Sequence, residues 1–164
     1  MFISSLFGKL GEDLHLEALR ILEILIKSWQ EAQASAFLVR EEVFIKEQGV
    51  PTELEIDEFD QLAVHALAYQ NERCIGTGRL VNLGNSQAQI GRMAVLAAFR
   101  RQGTGKQILM KLIDLAKLGG VNSLILHSQL AAIPFYEKLG FKAEGPRYEE
   151  AGIAHRNMIL ILPK

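Results

Sequence analysis

Alternating apolar and polar residues predict strands along much of this chain, and longer segments have the apolar spacing of helices. The strand segments are residues 22–29, 63–69, 74–83, 89–95, 123–127, 141–145 and 153–162. The helical segments are residues 31–46, 103–118 and 130–139. Consecutive strands followed by alternating strands and helices predict an α/β (α+β) domain, in which helices cover a mixed sheet.

Two segments outside these elements also have a predicted structure. Residues 146–152, which begin with Pro146 and end with Gly152, are predicted to connect the last two strands. Residues 1–20 have apolar side chains at spacings near three and four, so we expect a helical extension on a single domain that spans residues 21–164. The apolar face of this extension is a candidate contact surface for a homodimer.

Composition and net charge exclude several classes of function. The chain has 164 residues and a formal net charge of -1, which gives no general attraction to nucleic acid, so a small partner is expected. No apolar run approaches the roughly 20 residues that span a bilayer, and no signal peptide is recognisable, so we expect a cytoplasmic protein without membrane contact. One cysteine, Cys74, and four scattered histidines fit no metal-ligand spacing, so no metal is expected.

A basic, glycine-containing turn between a predicted strand and a predicted helix is the strongest sign of a binding site. Unpaired amides at the start of a helix, its dipole and nearby cations favour an anion such as pyrophosphate. Glycines let the backbone approach the anion closely. The candidate ligands in this turn are Arg100, Arg101, Gln102, Gly103, Thr104, Gly105 and Lys106.

This turn and a second segment together resemble the GNAT superfamily of N-acetyltransferases. The pattern R-x-x-G-x-G is matched by Arg100, Gly103 and Gly105. About thirty residues later, the pattern A-x-x-F-Y-x-x-x-G-F is matched by Ala132, Phe135, Tyr136, Gly140 and Phe141. The residues that look like the ElaA-like branch of this superfamily are Arg40, Glu55, Asp57, Asp60, His65 and His155. The resemblance covers about residues 20–162.

The resemblance implies acetyl-coenzyme A as the acyl donor and a sheet with a splayed pair of strands, flanked by helices on both faces. By likeness to the family, the backbone of Met93 and Val95 pairs with the pantetheine arm, and an amide near Met93 or Ala94 stabilises the oxyanion. Phe135 joins the cofactor-binding set. Gln129, which stands where many members carry asparagine, is expected to hydrogen bond to the cofactor.

Tyr136 is the residue expected to act as the general acid. A phenol with an ordinary pKa near 10 is protonated at neutral pH and can donate a proton to the departing thiolate. The alternative is an aromatic core residue beside Phe135 on an apolar helix face.

The general base is less well defined by the sequence. The candidates are Glu47, Glu58, Asp60, His65, His127 and His155. The three histidines all lie in predicted strands of the central sheet and could converge there, and His65 and His155 are chosen from them as catalytic candidates. The alternative for each histidine is a hydrogen-bonded strand residue without a role in the chemistry. The acidic run at residues 53–60 is either a solvated loop or a border of the acceptor pocket, where it would attract a cationic amine.

We therefore expect an N-acetyltransferase that moves acetyl from acetyl-coenzyme A to a primary amine, either a small molecule or a peptide. The amine attacks directly in a ternary complex, without a covalent enzyme intermediate. The alternative is a module that binds coenzyme A or acyl-coenzyme A as a sensor or scaffold, without turnover.

Overall fold

The computed structural model describes residues 21–163, so the predicted N-terminal helix and its dimer contact lie outside the described residues. The strands are β1 (Leu22–Ser28), β2 (Val64–Gln70), β3 (Arg73–Gly84), β4 (Gln87–Val95), β5 (Ser123–Gln129), β6 (Lys142–Glu150) and β7 (Ile153–Ile161). The α-helices are α1 (Trp29–Arg40), α2 (Thr52–Glu55), α3 (Thr104–Leu118) and α4 (Ile133–Glu137). The predicted element types are confirmed over most of this range.

The strands of the described range form one mixed sheet with the order β1-β2-β3-β4-β5-β7-β6. Neighbouring strands are antiparallel except β4 and β5, which are parallel. Their pairing runs from Gln87 opposite Ser123 to Ile90 opposite Leu126 and then stops, although β4 continues to Val95. The two strands therefore splay apart after Ile90.

A bulge in β4 lies where this separation begins. Thr77 of β3 pairs with Ala94, whereas Arg79 pairs with Gly91, so β4 has one residue more than β3 across this interval. Arg92 within the bulge has φ +51°, a left-handed conformation that is uncommon outside glycine. The bulge turns the end of β4 away from the line of β5.

Alternation along β2 shows why helices cover both faces of the sheet. Ala66 and Ala68 are buried in the core that α3 forms on one face. Leu67, which points the other way, packs on Ala32 and Ala36 of α1. The predicted layering, with a mixed sheet between helices, is confirmed.

Two predicted boundaries are wrong. The helix predicted at 31–46 is α-helical only as far as Arg40 and continues in wider, π-helical turns through Glu47. The link predicted at 146–152 is instead the second half of β6, and the turn to β7 is reduced to Ala151 and Gly152, both with positive φ. Pro146 is accommodated because β6 is the edge strand and its register shifts between Glu144 and Arg147.

Close packing of β3 against α3 gives a prediction about stability. A Cβ at Gly78 would lie 2.6 Å from the Met93 sulfur and 2.9 Å from Cγ2 of Ile108. We expect Gly78→Ala to lower the free energy of unfolding by about 1–3 kcal/mol, as overpacked cores do. Gly91→Ala is the matched control, since nothing lies within 4 Å of its added Cβ. Urea denaturation measures both variants, and equal stabilities would contradict the prediction.

Candidate active site

A cavity of about 610 Å³ lies beside the basic turn, on the α3 face of the sheet. It extends from the end of β4 past the start of α3 to α4. It brings together most of the predicted cofactor-binding residues: Met93, Ala94, Val95, Arg100, Arg101, Gly103, Gly105, Lys106 and Phe135. We call it the donor cavity.

The turn that borders the donor cavity has the backbone of an anion site. Gly103 caps the N-terminus of α3 with φ +86°, which favours glycine, and Gln107 closes the first helical turn by donating its amide to the Gly103 carbonyl. The amides that precede Gln107 in the helix have no intrahelical acceptor. Arg101 and Lys106 add positive charge on the cavity wall. This arrangement suits a pyrophosphate group.

Three residues of the predicted cofactor set are occupied elsewhere or lie away from the donor cavity. The Gln102 side chain donates to the Ala98 carbonyl at 3.1 Å. Thr104 is buried in the packing between α3 and β3. Gln129 lines a different cavity, on the other side of the splayed strands.

Arg100 lines the donor cavity, but its guanidinium is already bound. It donates to both carboxylate oxygens of Glu47, at 2.7 and 2.6 Å, and its Nε donates to the Val95 carbonyl at 2.8 Å. This ion pair lowers the pKa of Glu47 and ties the π-helical segment Glu41–Glu47 to the end of β4. Arg100 therefore connects the donor cavity to the π-helical segment. Glu47, one of the weaker base candidates, is engaged in the same contact.

A second cavity, of about 370 Å³, lies on the opposite face of the sheet. Its floor is formed by β4 and β5, with Gln89, Gly91 and His127 among the lining residues. One wall is the segment from Phe44 to Glu55, and the other is the hairpin between β6 and β7. We call it the acceptor cavity. Its two walls come from segments far apart in the chain. One of them includes Leu54 and Glu55 of the acidic run, in line with the expectation that this run borders the acceptor pocket.

Tyr136 lies where the two cavities meet. It lines both of them, and only Met93 and Ala132 do the same among the residues that the structure describes. Its side chain is 8% exposed, and burial raises its pKa to about 12. Edge-on contacts with Phe135 and Phe141 orient the ring. A protonated hydroxyl is thus held beside the gap between β4 and β5.

The structure brings one of the two predicted catalytic histidines to a cavity. His155 lines the acceptor cavity, stacks on Tyr148 and donates from Nδ1 to the Ile153 carbonyl at 2.7 Å, which leaves Nε2 as an acceptor. His65 lines neither cavity. It is 1% exposed, donates from Nε2 to the Asp60 carbonyl at 2.9 Å and has a pKa lowered by burial.

A side-chain hydrogen bond crosses one end of the acceptor cavity. Gln129, the last residue of β5, donates from Nε2 to Oε1 of Gln48 at 2.7 Å. Gln48 follows directly after the π-helical segment. This hydrogen bond therefore joins the wall that begins at Phe44 to the end of β5, the strand from which β4 separates. Gln48 is absent from the predicted site residues, since no sequence motif pairs it with Gln129.

The acidic run does not form a solvated loop, because two of its carboxylates are buried in ion pairs. Arg40, which is fully buried, donates to Glu55 and to both oxygens of Asp60. Arg79 donates to Asp57 and Asp60, at 2.6 and 2.9 Å. Burial alone would raise the pKa of Asp60, but its arginine partners lower it to about 2. Of this run, Glu55 reaches the wall of the acceptor cavity.

Arg92 of the β4 bulge completes this cluster. Its guanidinium donates to the carbonyls of Leu54 and Glu55, at 3.2 and 3.0 Å, and to Asp57 at 3.0 Å. The ion cluster is therefore Arg40, Glu55, Asp57, Asp60, Arg79 and Arg92. It fixes the wall around α2 against the bulge at which β4 leaves β5.

No helix within residues 21–163 combines the length and apolar character needed to cross a membrane.

Comparison with known proteins gives the family. Residues 25–162 match the family described as "Acetyltransferase (GNAT) domain". A Bacillus subtilis protein named as an uncharacterized N-acetyltransferase, YjcF, is 37% identical over 139 residues, which cover 84% of this chain and 99% of YjcF.

Solved structures show the same fold. An acyl-CoA N-acyltransferase from Pseudomonas aeruginosa superposes with a TM-score of 0.76 at 26% identity, covering 85% of this chain and 99% of that protein. Escherichia coli ElaA gives a TM-score of 0.76 at 24% identity, covering 85% and 99%. The donor turn, the splayed sheet and these relatives together establish that the chain belongs to the GNAT acetyltransferase family and is an acyltransferase that uses a coenzyme A-based co-substrate.

Proposed function

We propose that this protein transfers acetyl from acetyl-coenzyme A to a primary amine of a small molecule or peptide, by direct attack within a ternary complex. The observation that carries the proposal is the position of Tyr136, which lines both the donor and the acceptor cavity. A thioester entering from one face of the sheet and an amine entering from the other would meet beside its hydroxyl. Family membership supports the acyl transfer. The geometry supports separate roles for the donor cavity and the acceptor cavity.

On the donor side, the first amides of α3 receive the pyrophosphate, and Arg101 and Lys106 add charge at the rim. Arg100 keeps its contacts with Glu47 and Val95 and so positions the end of β4. Met93, Ala94 and Val95 offer the backbone along which the pantetheine arm lies, as an added strand would. An amide at Met93 or Ala94 stabilises the oxyanion that forms when the amine attacks.

The chemistry then needs one proton acceptor and one proton donor. The amine nitrogen forms a bond to the acetyl carbon, and the bond from that carbon to sulfur breaks. Tyr136 donates its proton to the leaving sulfur, a role that its buried, protonated state supports. His155 receives the proton that the amine loses, since its Nε2 is left as an acceptor on the cavity wall.

Binding of acetyl-coenzyme A is the first test of this assignment. We expect Lys106→Gln to weaken binding roughly fivefold, because it removes a cation beside the diphosphate at the rim of the donor cavity. Lys111→Gln is the matched control, since Lys111 lies on the same helix, is exposed and does not line the donor cavity. Isothermal titration calorimetry measures all three proteins.

Two outcomes would contradict the proposal in different ways. No heat with acetyl-coenzyme A at millimolar concentration would overturn the donor site itself. Tight binding without thiol release for any of a panel of primary amines would overturn the transfer reaction and favour a sensor or scaffold that binds coenzyme A.

A further inference from the structure

Two consecutive residues, Glu47 and Gln48, hold the ends of the two strands that separate at the splay. Glu47 is the last residue of the π-helical segment, and Gln48 follows it. Glu47 binds Arg100, whose Nε donates to the carbonyl of Val95, the last residue of β4. Gln48 accepts a hydrogen bond from Gln129, the last residue of β5. We call these two contacts the strand bridge.

The backbone ladder of the described sheet does not fix the distance between these two strand ends. Pairing between β4 and β5 stops at Ile90 and Leu126. Beyond that point β4 pairs only with β3, where Val95 lies opposite Gly76, and β5 pairs only with β7. A side-chain contact that crosses the gap can therefore set a separation that the backbone leaves open.

The π-helical segment is a firm base for such a contact, because it is packed on β4. Val43 of this segment and Ala94 of β4 are buried in the same apolar cluster. Gly49 donates its amide to the Ile45 carbonyl at 3.1 Å, which closes the end of the segment on itself. From this base, the Gln48 side chain reaches Gln129 at 2.7 Å. The hydrogen bond of Gln48 is thus the part of the strand bridge that spans the gap.

The width of this gap matters for the proposed reaction. A thioester in the donor cavity reaches the acceptor cavity between the ends of β4 and β5, beside Met93 and Tyr136, which line both cavities. The separation of the strands therefore sets the distance from the acyl carbon to the amine. A displacement of about 1 Å can lower a rate about 10²-fold.

We propose that Gln48 is a positioning residue for acyl transfer, which holds Gln129 and so keeps the ends of β4 and β5 at the separation that brings the thioester to Tyr136. This inference rests on the proposed transfer reaction and adds the residue that fixes its geometry. Gln48 takes no part in the bond changes.

The first test measures the strand ends directly, in the full chain without ligand. Gln48→Met keeps the length of the side chain and removes the amide. We expect hydrogen–deuterium exchange, read by mass spectrometry, to become roughly fivefold faster at residues 91–95 and 127–129, because one hydrogen bond that opposes their opening is lost. Gln33→Met is the matched control, since Gln33 is exposed on α1 and lines neither cavity.

The second test separates positioning from binding. We expect Gln48→Met to lower kcat for thiol release about tenfold, while its affinity for acetyl-coenzyme A, measured by calorimetry, stays within about twofold. Gln129→Met should have the same effect on kcat. The double variant should be no slower than either single variant, because both changes remove one shared contact.

Unchanged exchange at the strand ends, or a kcat for Gln48→Met within twofold of the unchanged protein, would overturn the inference. Independent effects in the double variant, with weaker binding of acetyl-coenzyme A in Gln129→Met alone, would also overturn it and would assign Gln129 to the cofactor. Failure of the proposed function is distinguishable. If the unchanged protein releases no thiol with any amine, the transfer reaction falls, and exchange at the strand ends alone decides whether Gln48 holds the gap.

Discussion

Replacing Tyr136 with phenylalanine is expected to lower kcat for acetyl transfer about 10²- to 10⁴-fold, the usual contribution of a general acid. The hydroxyl is the one polar group of a ring that is otherwise fixed by Phe135 and Phe141. Its removal leaves the ring packing in place. Affinity for acetyl-coenzyme A should therefore change less than twofold, because the charged contacts of the donor cavity lie at the start of α3.

The matched control is Tyr69→Phe. The Tyr69 hydroxyl donates to Ser35 at 2.8 Å, and neither residue lines the donor or the acceptor cavity. This change should lower stability by about 1 kcal/mol and leave kcat unaltered. Steady-state assays of thiol release at saturating amine, with calorimetry for affinity, separate the two variants. A kcat for Tyr136→Phe within threefold of the unchanged protein would remove Tyr136 from the chemistry.

The donor cavity could be predicted from the sequence because its parts are close together in the chain. The turn from Arg100 to Lys106 lies directly between β4 and α3, so strand, turn and helix patterns place it without any long-range information. Gly103 needs its positive φ for a purely local reason. Phe135 and Tyr136 belong to one short motif on α4.

The acceptor cavity could not be predicted in the same way. Glu55 and Glu150 are 95 residues apart in the sequence numbering, and only the sheet order brings their segments to opposite walls of one cavity. The buried acidic run shows the same limit. A run of acidic residues resembles a solvated loop unless the arginines that neutralise it are known, and Arg40 and Arg79 come from elements on either side of it.

The local differences between sequence and structure have different physical causes. Gly145 and Pro146 resemble a strand end, yet an edge strand accepts a proline at a register shift because it has no ladder bond to lose there. The change to π-helical turns after Arg40 adds about one residue to each turn and spans only seven residues, Glu41–Glu47. His65 and His155 both lie in strands, but β2 and β7 are separated by three other strands, so the two side chains do not meet.

Arg40→Met is expected to destabilise the fold by about 3–5 kcal/mol, the usual cost of breaking a buried ion pair from one side. Arg40 is fully buried and donates to Glu55 and to both oxygens of Asp60, so its loss leaves two carboxylates in the interior with fewer cations. Lys46→Met is the control, because its ion pair with Glu42 is exposed and should be worth less than about 0.5 kcal/mol. Urea denaturation measures both.

The pH dependence of stability checks that the effect comes from charge and not from lost packing. In the unchanged protein, the lowered pKa of Asp60 contributes stability that is present above its ordinary pKa of 3.8 and is lost as the pH falls toward about 2. Without Arg40, the pKa of Asp60 rises toward or above its ordinary value, so the stability that its ionised form contributes at neutral pH becomes smaller or reverses sign. The gap in stability between the two proteins should then narrow on acidification, since protonated carboxyls no longer need the guanidinium. A gap that stays constant from pH 7 to pH 3 would assign the effect of Arg40 to packing and would contradict an electrostatic role for the ion cluster.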